Sequence, residues 1–373
     1  MRGHVLSRSL RMRRGSALLA TMLVGIAIAT CAPRALAGFD DPLDTPAIDS
    51  ALAARGLING LARAGSRVVA VGQRGHVVYS DDDGQHWTQA HVPVRSDLTA
   101  VSFADARHGW AVGHDGVVLA TQDAGASWVK QLDGRVLGKL IADYYAQHRP
   151  DGWDDARYER LQADAQRLTE EGPDKPFLDV WFADARHGFV VGAFNLMLAT
   201  DDGGQHWTPW LDRSDNPRAL HLYAVRAAGA DVYVAGEQGL LLKLDRETQR
   251  FRAIGLPYRG TLFGVAGDGD AVTVFGLRGT ALRSSDGGAS WQKLATDVDV
   301  SLTSATIDAE GRQLLLSQTG QVLRTTPQAL QPVAIDRRVP ASAALALPDG
   351  ALLIGGPQGL HRITPHLPTG PTP

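Results

Sequence analysis

Aspartate recurs in this sequence beside glycine and tryptophan at one fixed spacing. The pattern Ser/Thr-x-Asp-x-Gly-x-x-Trp occurs four times: Ser80, Asp82, Gly84, Trp87; Thr121, Asp123, Gly125, Trp128; Thr200, Asp202, Gly204, Trp207; and Ser284, Asp286, Gly288, Trp291. A carboxylate can act as a catalytic acid or base, but next to glycine it can also bond the backbone of its own turn. Glycine supplies a positive φ there, and the tryptophan packs its ring as the next strand begins. The repetition favours the turn, so we assign these residues a structural role.

Histidines are a second candidate for chemistry, as metal ligands. His86 and His206 lie within two of the four motifs, and His108 and His187 end identical Ala-Asp-Ala-Arg-His segments. Recurrence at equivalent repeat positions indicates duplication rather than one metal centre, and no pair has the i, i+4 spacing of a zinc-binding helix. We expect no metal, no cofactor and no catalytic residue.

The four-fold pattern is identified as the Asp-box, or BNR repeat, which also occurs in sialidases. A sialidase-like glycoside hydrolase is therefore the alternative function. That resemblance implies an active site with three arginines that bind a carboxylate of the substrate, a tyrosine nucleophile with a glutamate partner, and an aspartate that acts as acid and base. The sequence has no Arg-Ile-Pro segment near its N-terminus, and its repeat number differs from the six blades of sialidases.

The first 37 residues have the pattern of a secretory signal peptide. Five arginines and no acid occur in residues 1–14, an apolar run covers residues 17–30, and Ala35-Leu36-Ala37 is a small-x-small cleavage signal. We expect cleavage after Ala37 and a periplasmic or secreted protein. Two other interpretations are a lipoprotein cysteine at Cys31, the only cysteine, and a twin-arginine signal at Arg13-Arg14.

The charge of the exported chain argues against nucleic-acid binding. Removing residues 1–37 takes away six arginines and no acid, so 31 basic residues face 40 acidic ones, a net charge of −9. Proteins that bind nucleic acid carry basic surfaces. Without Cys31 the mature chain also has no disulfide and no thiolate.

Seven segments of one length align without a gap. Each has two apolar runs around a polar turn and ends at or just before a Gly-x-x-Gly turn: residues 57–72, 98–113, 177–192, 221–236, 261–276, 302–317 and 341–356. A third apolar run and an Asp-box with a fourth strand follow, which is typical of a propeller blade. The sequence therefore predicts an all-β, seven-bladed β-propeller in one domain, residues 38–373.

One repeat is longer than the others because of an insertion at residues 134–175. Apolar residues at helical spacing on both sides of Arg149-Pro150 predict a helical hairpin between blades two and three. As a link between blades, it belongs on the face opposite the Asp-boxes, with the Gly-x-x-Gly turns. Our candidate partner-binding residues lie on that face: Arg74, His114, Asp115, Phe194, Glu237, Arg278, Tyr144, Tyr145 and Trp153.

Closure of the ring is a separate expectation. The C-terminal tail from Pro365 is rich in proline, which lacks the amide donor of a regular strand. We therefore predict that some part of residues 39–53 contributes to the last blade.

The segment from His108 to Trp128 resembles the photosystem II stability/assembly factor family of BNR-type propellers, and the resemblance covers residues 57–364. It implies a propeller in an exported compartment that binds newly made subunits of a membrane complex, and in other bacteria an envelope accessory role. We therefore expect a monomeric, non-catalytic protein that binds a protein partner, as an assembly or stability factor for a membrane-associated complex.

Overall fold

The strands are formed by short apolar runs, which are separated by turns that contain glycine. In a computed structural model, which describes residues 40–366, Val68, Val69, Ala70 and Val71 are all buried although their side chains alternate in direction. A strand with both faces buried lies between two packed layers, and this is why these runs are continuously apolar rather than alternating.

Within residues 40–366 the strands form seven antiparallel sheets, each hydrogen-bonded in chain order and, apart from one short added strand, contiguous in sequence. Sheet 1 contains β1 Ile58–Ala64, β2 Arg67–Gly72, β3 Val77–Ser80 and β4 Thr88–Gln89. Sheet 2 contains β5 Leu98–Phe103, β6 Gly109–Gly113, β7 Val118–Thr121 and β8 Val129–Leu132. Sheet 3 contains β9 Phe177–Phe182, β10 Gly188–Gly192, β11 Met197–Thr200 and β12 Thr208–Pro209. Sheet 4 contains β13 Leu222–Ala228, β14 Asp231–Gly236, β15 Leu241–Asp245 and β16 Arg250–Ala253.

The remaining sheets follow the same order. Sheet 5 contains β17 Leu262–Asp268, β18 Ala271–Gly276, β19 Ala281–Ser284 and β20 Gln292–Lys293. Sheet 6 contains β21 Leu302–Ile307, β22 Gln313–Ser317, β23 Val322–Thr325 and β24 Leu330–Ile335. Sheet 7 contains β25 Ala343–Ala346, β26 Leu352–Gly356 and β27 Gly359–Ile363. A last strand, β28 Pro365–His366, pairs with β24.

The first strands of all seven sheets surround one central channel. Side chains join neighbouring first strands: Asn59 Nδ2 donates to Leu98 O at 2.9 Å, Thr99 Oγ1 to Phe177 O at 2.8 Å, and Thr303 Oγ1 to Ala341 O at 2.7 Å. Apolar clusters fill the spaces between adjacent sheets. This ring of radial sheets is a β-propeller fold, as the repeats predict.

The ring closes differently from our expectation. Leu43 is buried between sheets 1 and 2, and Ala47 N donates to Val92 O, so this part of residues 39–53 packs against sheets 1 and 2 rather than sheet 7. Only a short 3₁₀ turn at Ala53–Arg55 reaches β27. We predicted that some part of residues 39–53 contributes to the last blade, but residues 40–53 supply no strand to sheet 7, and their contribution is limited to the contact of Ala53 with β27. Sheet 7 has three strands, and Pro365 does take part in a short strand, at the edge of sheet 6.

Two helices follow sheet 2. Helix α1 covers Gly134–Gln147 and helix α2 covers Asp155–Glu171. Asp133 and Asp154 cap them, each by accepting a hydrogen bond from a backbone amide in the first turn. Among the described residues, neither these nor any other helix has the length and hydropathy to cross a membrane. The predicted signal peptide, residues 1–37, lies outside the described residues.

Candidate functional site: the Asp-box turns

Each Asp-box holds its own turn together. In the first, Ser80 Oγ donates to Asp82 Oδ1 at 2.8 Å and accepts from Gly84 N at 2.8 Å. The same Asp82 oxygen accepts from His86 N at 2.8 Å, and Trp87 Nε1 donates to Gly84 O at 3.2 Å. Gly84 has φ +86°, a conformation that other residues rarely adopt.

The other three boxes repeat the arrangement with one exception. The indoles of Trp128 and Trp291 donate to Gly125 O and Gly288 O, as Trp87 does to Gly84 O. The buried Trp207 Nε1 has no acceptor within residues 40–366. Trp128 and Trp207 are buried, whereas Trp87 and Trp291 are partly exposed.

Hydrogen bonds within the turns keep these aspartates ionised. The His86 amide and imidazole and the Ser80 hydroxyl lower the pKa of Asp82, and the hydroxyls of Ser284 and Ser290 lower the pKa of Asp286. Burial opposes the shift at Asp202, but hydrogen bonds from His206 and Thr200 still lower its pKa to about 2. A carboxylate engaged in this way cannot serve as a general acid near neutral pH.

The recurrent histidines bond the aspartates of their own turns. His86 Nδ1 lies 2.6 Å from Asp82 Oδ2, and His206 Nδ1 lies 2.7 Å from Asp202 Oδ2. His108 and His187 contact Asp105 and Asp184 in the same manner. In the described part of the chain, no three residues of the metal-ligating types come together.

Candidate functional site: the face of the insertion

The Gly-x-x-Gly turns share a strained conformation. Arg74, Asp115, Phe194, Gln238 and Arg278 occupy one equivalent position in five sheets, with φ between 54° and 58°. Four of them are polar or charged, whereas Phe194 is an aromatic residue that remains 54% exposed. Because all five turns share the positive φ, it is the exposed aromatic side chain of Phe194 that distinguishes the turn of sheet 3.

Some of the candidate residues on these turns accept hydrogen bonds from the segments that connect neighbouring sheets. Asp115 Oδ2 accepts from Ser96 Oγ at 2.6 Å, and Glu237 Oε2 accepts from His221 N at 2.8 Å. The exposed side chains at these turns include Arg74, His114 and Arg278.

The helical hairpin lies on this same face. Gly116, in the turn of sheet 2, packs so closely against Gly134 that no Cβ would fit there, and the carbonyl of Lys175 lies at ordinary contact distance from the same position. Lys175 Nζ in turn lies 5.6 Å from the centre of the Phe194 ring. The two ends of the insertion therefore meet beside the turns of sheets 2 and 3.

Tyr145 was a candidate surface residue, and the structure corrects this assignment. It is 1% exposed, and its hydroxyl donates to Asp212 Oδ1 at 2.6 Å. Burial and the Asp212 carboxylate raise the pKa of Tyr145. Tyr145 thus fixes α1 to the link after sheet 3, because its position on the helical stripe turns it inward. Tyr144 is partly exposed and stacks on His148, and Trp153 is partly exposed beneath Arg157.

A groove of about 640 Å³ lies between α2 and sheet 3 with its following link. We call it the α2 groove. Its residues include Arg157, Arg160, Leu161, Leu168, Phe194 and Leu211. Below it, the Asn195 side chain donates to Leu211 O and accepts from Ser214 and Asn216, which holds the far wall in place.

A row of neighbouring aromatic rings extends from the α2 groove to the central channel. The ring centres of Phe194 and His221 are 4.5 Å apart, those of His221 and Tyr223 6.4 Å, and those of Tyr223 and Phe263 5.4 Å. Tyr223 and Phe263 also line the central channel, whose volume is about 330 Å³.

The channel contains an ion pair that sequence reasoning missed. Arg226 Nη1 donates to Asp179 Oδ2 at 2.5 Å, and the same oxygen accepts from Val225 N. Burial raises the pKa of Asp179, and the Arg226 guanidinium opposes that rise. One signal was available: Asp179 interrupts the apolar run of β9, where a charge requires a buried partner.

Candidate functional site: comparison with known proteins

A family model for "Photosynthesis system II assembly factor YCF48" matches residues 80–138 and 162–326, which is more than half of the chain. The chain belongs to this family. It is a family of assembly factors rather than of enzymes. The unmatched residues 139–161 form most of α1 and the start of α2, so the model leaves out much of the insertion.

Named relatives agree with this assignment. The chain is 30% identical over 156 residues to a photosystem II assembly lipoprotein Ycf48 from Synechococcus, which covers 40% of this chain and 45% of the relative. It therefore spans less than half the length of that relative. The match to the chloroplastic photosystem II stability/assembly factor HCF136 of Arabidopsis thaliana is 23% identical and covers 69% of this chain and 72% of the relative.

A solved structure described as "YCF48 bound to D1 peptide" shares the fold. Its TM-score is 0.59 at 15% identity, and the match covers 86% of this chain and 99% of that one. The WD40 propeller domain of Doa1 has a TM-score of 0.55 at 11% identity. At these identities the likeness concerns the fold alone.

Proposed function

We propose that this chain is a seven-bladed propeller that binds a protein partner and acts as an assembly or stability factor for a membrane-associated complex. Its relatives are named as photosystem II assembly factors, and a propeller of this fold has been solved with a D1 peptide. The observation that carries the proposal is the face of the insertion. It combines an exposed aromatic side chain at positive φ with a groove built by the helical hairpin.

The channel offers little support for the glycosidase alternative. Its lining contains a single arginine, Arg226, whose Nη1 is engaged by Asp179. A sialidase-like site would bring together three arginines, a tyrosine and a glutamate, and no glutamate lines this channel. The Asp-box aspartates are bonded within their turns on the opposite face.

Crosslinking and affinity capture from envelope extracts test the proposal. The full chain is compared with a variant whose residues 134–175 are replaced by a short Gly-Ser link, which the proximity of Gly134 to Pro173 allows. We expect a membrane-protein partner that the variant captures weakly or not at all. A propeller with Arg107→Ser and Arg186→Ser, two exposed arginines on the opposite face, is the control. Failure of the intact protein to capture any partner would contradict the proposal.

We further propose export to the periplasm or the exterior, as the N-terminal pattern predicts. One relative is named a lipoprotein, which agrees with a location outside the cytoplasm. N-terminal sequencing of the protein from fractionated cells should give Gly38 as the first residue. If Cys31 is found with a lipid attached, the chain is exported as a lipoprotein and the prediction of cleavage after Ala37 is wrong.

A further inference from the structure

We propose that the α2 groove binds an extended, acidic peptide segment of the partner, whose apolar side chains contact the groove floor and whose carboxylates pair with Arg157 and Arg160. This inference rests on the proposed function and adds the place and chemistry of binding. Both arginines lie in the part of the insertion that the family model leaves out, whereas Leu168, Phe194 and Leu211 of the groove lie in the part that it matches.

Arg157 and Arg160 are unpaired cations. The Arg157 guanidinium lies 3.7 Å from the centre of the Trp153 ring, and Arg160 Nε donates to Ala156 O of its own helix. Throughout residues 40–366, no carboxylate lies within 4.0 Å of either guanidinium. On a chain rich in acidic residues, two free guanidinium groups beside a groove favour an acidic ligand.

Two other cations of the groove already have partners. Arg167 pairs with Asp164 at 2.8 Å, and Lys175 pairs with Glu171 at 2.7 Å. Within residues 40–366, Arg157 and Arg160 are therefore the groove cations without a carboxylate partner, at an end of α2 that Asp154 also lines. A bound segment has its carboxylates at that end.

The floor is suited to apolar side chains. Leu161 and Leu196 are buried beneath it, and Leu168 and Leu211 are partly exposed along it. Phe194 borders the groove with half of its surface in solvent, at a φ that phenylalanine adopts at a conformational cost.

The groove has the length of a short peptide. Helix α2 lines it from Arg157 to Glu171, about 21 Å at the rise of an α-helix. An extended chain of roughly six residues covers that length. The volume, about 640 Å³, falls in the range of specific binding sites.

Selection from a displayed library of random heptapeptides tests this inference on the full-length chain. We expect enriched peptides with acidic and large apolar residues. By fluorescence polarisation, an enriched peptide should bind the Arg157→Ser/Arg160→Ser variant about tenfold more weakly, as the loss of two exposed ion pairs predicts. Phe194→Ser should weaken peptide binding several-fold. Added salt should weaken peptide binding by the wild type but not by the double arginine variant, because the salt screens the two ion pairs that this variant lacks.

The control is the Arg107→Ser/Arg186→Ser variant. Each of these exposed arginines donates through Nε to a backbone carbonyl on the opposite face and has no carboxylate partner within the described chain. Its affinity for the peptide should equal that of the wild type. Thermal unfolding of every variant is measured to check that each one is folded.

Three outcomes overturn the inference: no enrichment, enrichment of basic peptides, or equal binding by the double arginine variant. Binding to phosphatidylglycerol vesicles without peptide binding also overturns it and assigns the arginines to a lipid surface. If the envelope capture experiment succeeds while these tests fail, only the α2 groove is excluded and the proposed function stands.

Discussion

Trp128 is 4% exposed, whereas the equivalent Trp291 is partly exposed. Replacing Trp128 by alanine removes a buried ring and leaves a cavity between sheets 1 and 2, at a cost of about 3–5 kcal/mol in the free energy of unfolding. Trp291→Ala should cost less, because less surface is buried. Urea unfolding measures both, and a loss under about 1 kcal/mol for Trp128→Ala would exclude the packing role.

Asp202 links stability to pH. Its pKa in the folded protein is about 2, below the ordinary value of 3.8, so the ionised form is bonded more favourably in the folded state. That stabilisation is complete above pH 3.8 and is lost as the pH falls toward 2. The difference in stability between wild type and Asp202→Asn should therefore be present at pH 5 and shrink in acid. Asp201→Asn, at an exposed neighbour, is the control, and a difference that does not vary with pH contradicts the linkage.

At the scale of elements, one buried hydrogen bond contributes to holding the helical hairpin on the propeller. Tyr145→Phe removes the donor to Asp212 and leaves a buried carboxylate oxygen without it, which should cost roughly 1–3 kcal/mol. Faster proteolysis within residues 134–175 should accompany the loss. Tyr144→Phe alters a partly exposed ring and should change neither measurement; equal effects of the two substitutions would exclude the special role of Tyr145.

The elements that the sequence predicts best are those determined by residues close to one another in the chain. The Asp-box turns depend on residues within eight positions of one another, and runs such as Val68–Val71 fold as strands wherever two layers cover them. The location of Leu43, the inward position of Tyr145 and the pairing of Asp179 with Arg226 depend on distant parts of the chain. Arg226 lies 47 positions from Asp179, so no local pattern connects them.

For the whole molecule, the contact between sheets 1 and 7 closes the ring. Leu353 is 1% exposed and packs there with Val68 and Trp87, and Arg362 Nη1 donates to Asp83 O across the same contact. Leu353→Ala should cost about 2–5 kcal/mol. Leu315→Ala, buried beside sheet 5, should cost the same amount if the ring unfolds as one unit.

Tryptophan fluorescence and far-UV circular dichroism should report one coincident transition for both leucine variants. Separation of the two signals in Leu353→Ala alone would show that the ring opens first at this contact.

Sheets 1 and 7 share no strand, and each sheet uses one uninterrupted stretch of chain apart from the short pairing of β28 with β24. The sheets follow one another around the ring in the order in which they occur along the chain, and the last contacts the first. A circular permutant with new ends between any two of sheets 1–6 keeps every strand pair of those sheets. The same ring of sheets can therefore form from a chain that begins with a different sheet.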